Sequence, residues 1–166
     1  WSPRLLEVSE MKIDCMPRLV EGCQIGATLS PHIAQLLGLD CNVVVVGGAG
    51  DNAAAACGIG ALGEGGGFVS LGTSGTLLVA RDGYHPLPAS AVHTFCHAIP
   101  ETWYQMGVIL SATDSLNWLS GITSNMPTEL TKALSSEING PCPTKFLPYL
   151  SGERTPHNDA KIRAGF

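Results

Sequence analysis

Charge is scarce in this chain. Asp, Glu, Lys and Arg make up 14% of its 166 residues, against about 25% in ordinary soluble domains. Aromatic residues supply only 6%. There is no basic excess: nine Lys and Arg face fourteen Asp and Glu, which leaves no electrostatic footprint for nucleic acid. No C-x-x-C pair occurs among the six irregularly spaced cysteines, an arrangement that points to a reduced, cytoplasmic chain rather than a disulfide framework. Trp1 is not followed by a basic segment and a small-residue cleavage site, so no signal peptide is expected. The longest weakly polar stretch, Val43 to Leu62, holds Asp51, Asn52 and five glycines. A charge at a bilayer centre costs about 2.5–3.5 kcal/mol, which excludes a membrane span there.

What is present is apolar and glycine-rich. Hydrophobic residues make up 45%, and 20 residues are glycine, roughly twice the usual share. A disordered chain needs low hydrophobicity and high net charge, so disorder is excluded. A free-standing surface should carry more charge than this. The composition reads as the inside of a larger protein.

Local signals divide the chain. Ser2 as N-cap and Pro3 at the first helical position predict a short helix over residues 4–11. Ser30 and Gly38 bracket a second, Pro31–Leu37. Asn42-Val43-Val44-Val45-Val46 reads as a strand buried on both faces, and Asn52–Ile59 as an alanine helix. The cluster Gly63-Glu64-Gly65-Gly66-Gly67 marks a composition change and a candidate hinge. Beyond it, Phe68–Leu71 and Thr76–Ala80 flank Gly72-Thr73-Ser74-Gly75 as a hairpin. Strands are expected over Val92–Ile99, Trp103–Ile109 and Phe146–Leu150, and helices over Ser111–Leu119 and Thr128–Leu134. A boundary near the glycine cluster gives two parts, 1–62 and 63–166, the second unfinished at Phe166.

Several residues could carry chemistry. Gly48, Gly50 and Ala53 satisfy G-x-G-x-x-A after a strand, the dinucleotide fingerprint. The acid expected about 20 residues on is missing at Leu71-Gly72-Thr73, and Asp51 in the turn would repel a pyrophosphate. Asp51 itself has two readings: a carboxylate facing a ligand crevice at a strand's carboxyl end, or a helix cap serving an N–H near Ala53 or Ala54. The turn Gly72-Thr73-Ser74-Gly75 is either an anion-binding nest or a plain hairpin turn. His93, Cys96 and His97 suggest a metal, but four residues of strand separate the histidines by about 13 Å, so a structural role is expected and no metal ligand is assigned. The loop Ser151–Asp159 is polar, and its apolar lead-in suggests that it is held against the body. Asp114 and Trp118, one helical turn apart, read as surface and core.

Taken together, Gly47–Ala54, Ser70–Thr76, His93–Ala98 and Phe146–Asn158 resemble the FGGY family of carbohydrate kinases, in order and across nearly the whole chain. The resemblance implies an α/β, actin-like and ribonuclease-H-like fold. Residues 1–62 would then close a first, sugar-binding domain, and residues 63–166 open a second, nucleotide-binding one. It implies ATP-dependent phosphorylation of a ketopentose, D-xylulose to its 5-phosphate, with ATP and Mg²⁺. Asp51 becomes the general base, Asp51 and Asn52 contact the sugar, and Gly72, Thr73 and Ser74 contact the ATP phosphates. The family's D-x-G-T-type phosphate loop, its M-H-G sugar motif and its adenosine-binding segment are absent from these residues, which implies a central fragment inactive alone. The implied partners are a small sugar and ATP, with no nucleic acid and no membrane. A homodimer of the complete protein stays open, as do another sugar or polyol substrate and a non-catalytic actin-like nucleotide-binding module.

Overall fold

A computed structural model describes residues 1–134, 136–137 and 140–166. It divides into two compact units, Trp1–Ala49 and Gly50–Phe166, so the alanine helix belongs to the second unit.

In the first unit, α1 (Pro3–Val8) starts as expected, with Ser2 Oγ accepting the Leu5 N–H at 3.4 Å. It stops before Met11 because Ser9 ends it, turning its hydroxyl back onto the Leu5 carbonyl at 2.8 Å. Helix α2 (Pro31–Leu37) ends at Gly38, which sits at φ 66°, a left-handed position that glycine occupies without a Cβ penalty. The Leu39 N–H then bonds the Ala34 carbonyl at 2.9 Å, closing a Schellman turn. Strand β1 (Ile25–Thr28) pairs antiparallel with β2 (Val44–Val46). Here the expectation of burial is corrected. The valines lie open: Val45 is 45% exposed and Val46 50%. Among the described residues this sheet has two strands, too few to cover either face.

The second unit is built on a four-stranded antiparallel sheet of order β3–β4–β6–β5. Its strands are β3 (Gly67–Leu71), β4 (Gly75–Arg81), β5 (His93–Cys96) and β6 (Trp103–Ile109). Alternation gives the sheet two faces. Leu78 and Ala80 of β4 and Tyr104, Met106 and Val108 of β6 are buried, whereas Leu77 and Val69 are exposed. Helix α3 (Asp51–Gly58) lays Ala53 and Ala56 on the buried face. Small side chains one turn apart let its backbone approach the sheet closely. The glycine cluster is not a free hinge: Gly65 N–H bonds the Ala80 carbonyl at 3.0 Å, and Ala80 N–H bonds the Gly66 carbonyl at 2.7 Å.

Two later elements differ from expectation. Helix α4 (Thr113–Thr123) runs through Gly121 and ends at Ser124, which takes the left-handed turn at φ 56°. Phe146–Leu150 is not a strand; among the described residues it makes only the isolated bridges Leu147–Gly165 and Leu150–Gly152. Its hydrophobic character goes elsewhere, because Phe146 stacks on Trp118 with centroids 5.3 Å apart, and Phe166 joins them. Helix α5 (Pro127–Lys132) precedes that segment, its N-terminus closed partly by Glu129, whose Oε2 accepts the Met126 N–H at 3.0 Å.

Candidate functional site

Asp51 occupies the first position of α3 and is exposed. It is not the capping residue. Gly50 holds that place, and its carbonyl receives the Ala54 N–H at 2.9 Å. Asp51 Oδ1 instead accepts the Asn52 N–H at 2.8 Å and Asn52 Nδ2 at 3.2 Å. The side chain is thus steered by its neighbour, and the other carboxylate oxygen has no partner among the described residues. A negative charge on the first helical turn is also favoured by the helix dipole.

The charge of Asp51 is felt inside the sheet. Burial pushes the Tyr104 phenol above its ordinary pKa, and the Asp51 carboxylate and Cys96 push it the same way. Tyr104 is 6% exposed, in the cluster that receives α3.

The turn Gly72–Ser74 is exposed and joins β3 to β4, with Leu71 opposite Gly75. Its carbonyls face helix α4. Thr73 O receives the Ala112 N–H at 2.8 Å, while Gly72 O receives the Thr113 N–H at 3.0 Å and the Thr113 hydroxyl at 2.7 Å. Gly72 and Thr73 therefore supply the cap that Ala112 cannot. Asp114, expected at the surface, is half-buried beside this junction. With those carbonyls committed, the hydroxyls of Thr73 and Ser74 and their backbone N–H groups have no partner among the described residues. Donors on an exposed turn suit an anion. No hydrogen bond joins Asp51 or Asn52 to this turn among the described residues.

His97 is structural. Its Nδ1 accepts the Ile99 N–H at 3.3 Å, which leaves the proton on Nε2, 3.2 Å from the Ala61 carbonyl. Its ring meets Tyr104 edge-on. Among the described residues, no three His, Cys, Asp or Glu side chains are grouped to hold a metal.

Residue order assigns no role to Glu153 or Thr155, yet they fasten the polar loop to β6. Thr155 Oγ1 accepts the Val108 N–H at 3.0 Å and donates to the Ala91 carbonyl at 3.1 Å. Glu153, 3% exposed, accepts the Leu110 N–H at 3.0 Å through Oε1. The one signal in the sequence is a run of polar residues directly after an apolar segment.

The architecture is that of the actin-like sugar kinases. A crystal structure from Brucella ovis, described as a xyloylose kinase, matches the whole chain at 52% identity with a TM-score of 0.96, over 34% of its own length. Xylulose kinase of Escherichia coli K12 is 42% identical over all of this chain and 34% of the relative. A gluconate kinase from Lactobacillus acidophilus shares the fold, with a TM-score of 0.86 at 22% identity over the whole chain and 34% of its own. The model of the N-terminal domain of the FGGY family of carbohydrate kinases matches residues 1–58. Residues 1–58 thus match that family's N-terminal domain, and the chain as a whole is similar to xylulose kinases. It spans about a third of the length of the relatives it matches.

Proposed function

We propose that this chain is part of an ATP-dependent carbohydrate kinase that phosphorylates a ketopentose, D-xylulose to D-xylulose 5-phosphate. The observation that carries the reading is Asp51: an exposed carboxylate on the first turn of α3, held on one oxygen by Asn52 and open on the other. In this reading the open oxygen takes the proton of the attacking sugar hydroxyl. The hydroxyl oxygen forms its bond to the γ-phosphorus, the bond to the β-phosphate oxygen breaks, and ADP leaves. Asn52 contacts the sugar beside it. The unpartnered donors of the Gly72-Thr73-Ser74 turn meet the ATP phosphates, where phosphoryl transfer is helped chiefly by positioning and charge neutralisation.

Residues 1–62 would close the sugar-binding domain, and 63–166 would open the nucleotide-binding one; the family match over residues 1–58 supports the first half. Magnesium would neutralise phosphate charge, held mainly by phosphate and water. The proposal places the enzyme in the cytoplasm, consistent with six free cysteines. No described helix is long and apolar enough to cross a membrane.

The test is a coupled assay of the whole protein that carries this chain, with ATP and D-xylulose, ribulose or glycerol in parallel. The reading expects D-xylulose to be the best substrate, and the isolated 166-residue chain to be inactive because it holds only part of each cleft wall. Turnover of glycerol alone, or none with any sugar, would overturn it.

A further inference from the structure

A second polar cavity lies away from Asp51 and from the Gly72–Ser74 turn. It has a volume of about 410 Å³ and sits between the turn that leads into β5 and the loop after Leu150. Its two walls are tied together by Thr155 of that loop, whose hydroxyl donates to the Ala91 carbonyl of the turn. Four polar side chains line it: His93, Thr94, Arg154 and Asn158. Two of them are anomalous. His93 Nε2 and Thr94 Oγ1 are both buried, and neither has a hydrogen-bond partner among the described residues. Buried polar atoms are nearly always satisfied by protein or by something bound. The Arg154 guanidinium is likewise without an ion pair or hydrogen bond among the described residues, and it stands at the rim. No Asp or Glu lines this cavity; Glu153 and Asp159 line the neighbouring pocket, which shares Arg154 and Asn158 with it. The remaining wall is apolar, with Leu87 and Val92 in it.

We propose that this cavity binds a small phosphate monoester, its phosphate between Arg154, Thr94 and Asn158 and its organic body against Leu87 and Val92. The guanidinium fork, a hydroxyl, an amide and a ring nitrogen together offer more donors than a carboxylate's two oxygens can use. A phosphate presents three terminal oxygens to arginine and its neighbours. The apolar wall gives an ester an advantage over inorganic phosphate. Neither feature depends on the kinase reading, because the site shares no residue with Asp51, Asn52 or Gly72–Ser74.

The test is calorimetric titration of the whole protein with phenyl phosphate, inorganic phosphate and benzoate. Phenyl phosphate should bind, about tenfold or more tightly than inorganic phosphate or benzoate. Arg154→Met and Thr94→Val should each weaken it by about tenfold, the scale of a lost charge-assisted hydrogen bond. Melting temperature should hold, and if either variant melts early, Asn158→Ala at the exposed rim serves instead. Gly72→Val should leave this binding intact. Absence of binding at millimolar phenyl phosphate overturns the proposal, as does wild-type affinity in all three cavity variants. Loss of binding in Gly72→Val would assign the phosphate to the β3–β4 turn, and equal affinity for benzoate would refute the phosphate class.

Discussion

Replacing Asp51 by Asn separates catalysis from folding because the structure keeps the two apart. The amide oxygen can still accept the Asn52 N–H that Oδ1 accepts at 2.8 Å. The helix cap is untouched, since Ala54 N–H is held by the Gly50 carbonyl. What is lost for stability is one exposed charge near a helix N-terminus, worth about 0.3–1 kcal/mol at low salt. For a domain of this size that lowers the melting temperature by about 1–4 °C. What is lost for catalysis is the proton acceptor, and general-base removal costs about 10²–10⁴ in turnover, equivalent to about 3–5 kcal/mol of barrier. The two losses therefore differ several-fold. Turnover, sugar affinity and melting temperature should be measured on one preparation of the whole protein. A fall of two or more decades in kcat, at a nearly constant melting temperature and with sugar affinity little changed, is the expected result. Near-normal turnover would refute the general base. A drop in melting temperature beyond about 10 °C with a proportionate loss of activity would refute the separation and make Asp51 a structural residue.

Particular contacts set three further outcomes. A Cβ added at Gly72 meets nothing closer than Ser74 O at 3.6 Å, so Gly72→Val should fold; calorimetry should show weaker ATP binding with sugar affinity retained, and the reverse pattern would mean that the turn serves the other ligand. Thr155→Val breaks the bonds to Val108 and Ala91 and should destabilise the protein by about 1–3 kcal/mol in denaturant titration, with Thr155→Ser recovering most of it; an unchanged midpoint would refute the fastening role. The Tyr104 phenol, raised first by burial and then by the Asp51 charge, should ionise above the unfolded value of about 10. The native state then holds that proton longer than the unfolded state, so the contribution is complete below a pH of about 10 and is lost as pH rises through the folded value. Difference absorbance in the near ultraviolet against Tyr104→Phe checks this, and Asp51→Asn should lower the midpoint while burial keeps it above the unfolded value.

Much of this protein is written in short stretches. Ser2 with Pro3, Gly38 after Leu37, and the glycine-flanked turn between β3 and β4 each act within four or five residues, and each element appears where its signals stand. The same holds for Asp51 at the opening of an alanine helix. Tertiary structure decided what those elements face. The valines of β2 have the composition of a strand buried on both faces, but burial is a property of neighbours, and β1 is the single strand paired with them among the described residues. Ala112 carries no capping side chain, because the cap of α4 comes from Gly72 and Thr73 some forty residues earlier. Phe146 has strand propensity but spends it on Trp118, and Glu153 is buried where its Oε1 accepts the N–H of Leu110, 43 residues earlier. Propensity, capping and turn chemistry act over one or two turns of chain and are legible from residue order. A hydrogen bond or a ring stack between residues far apart in the chain exists only once the fold has brought them together.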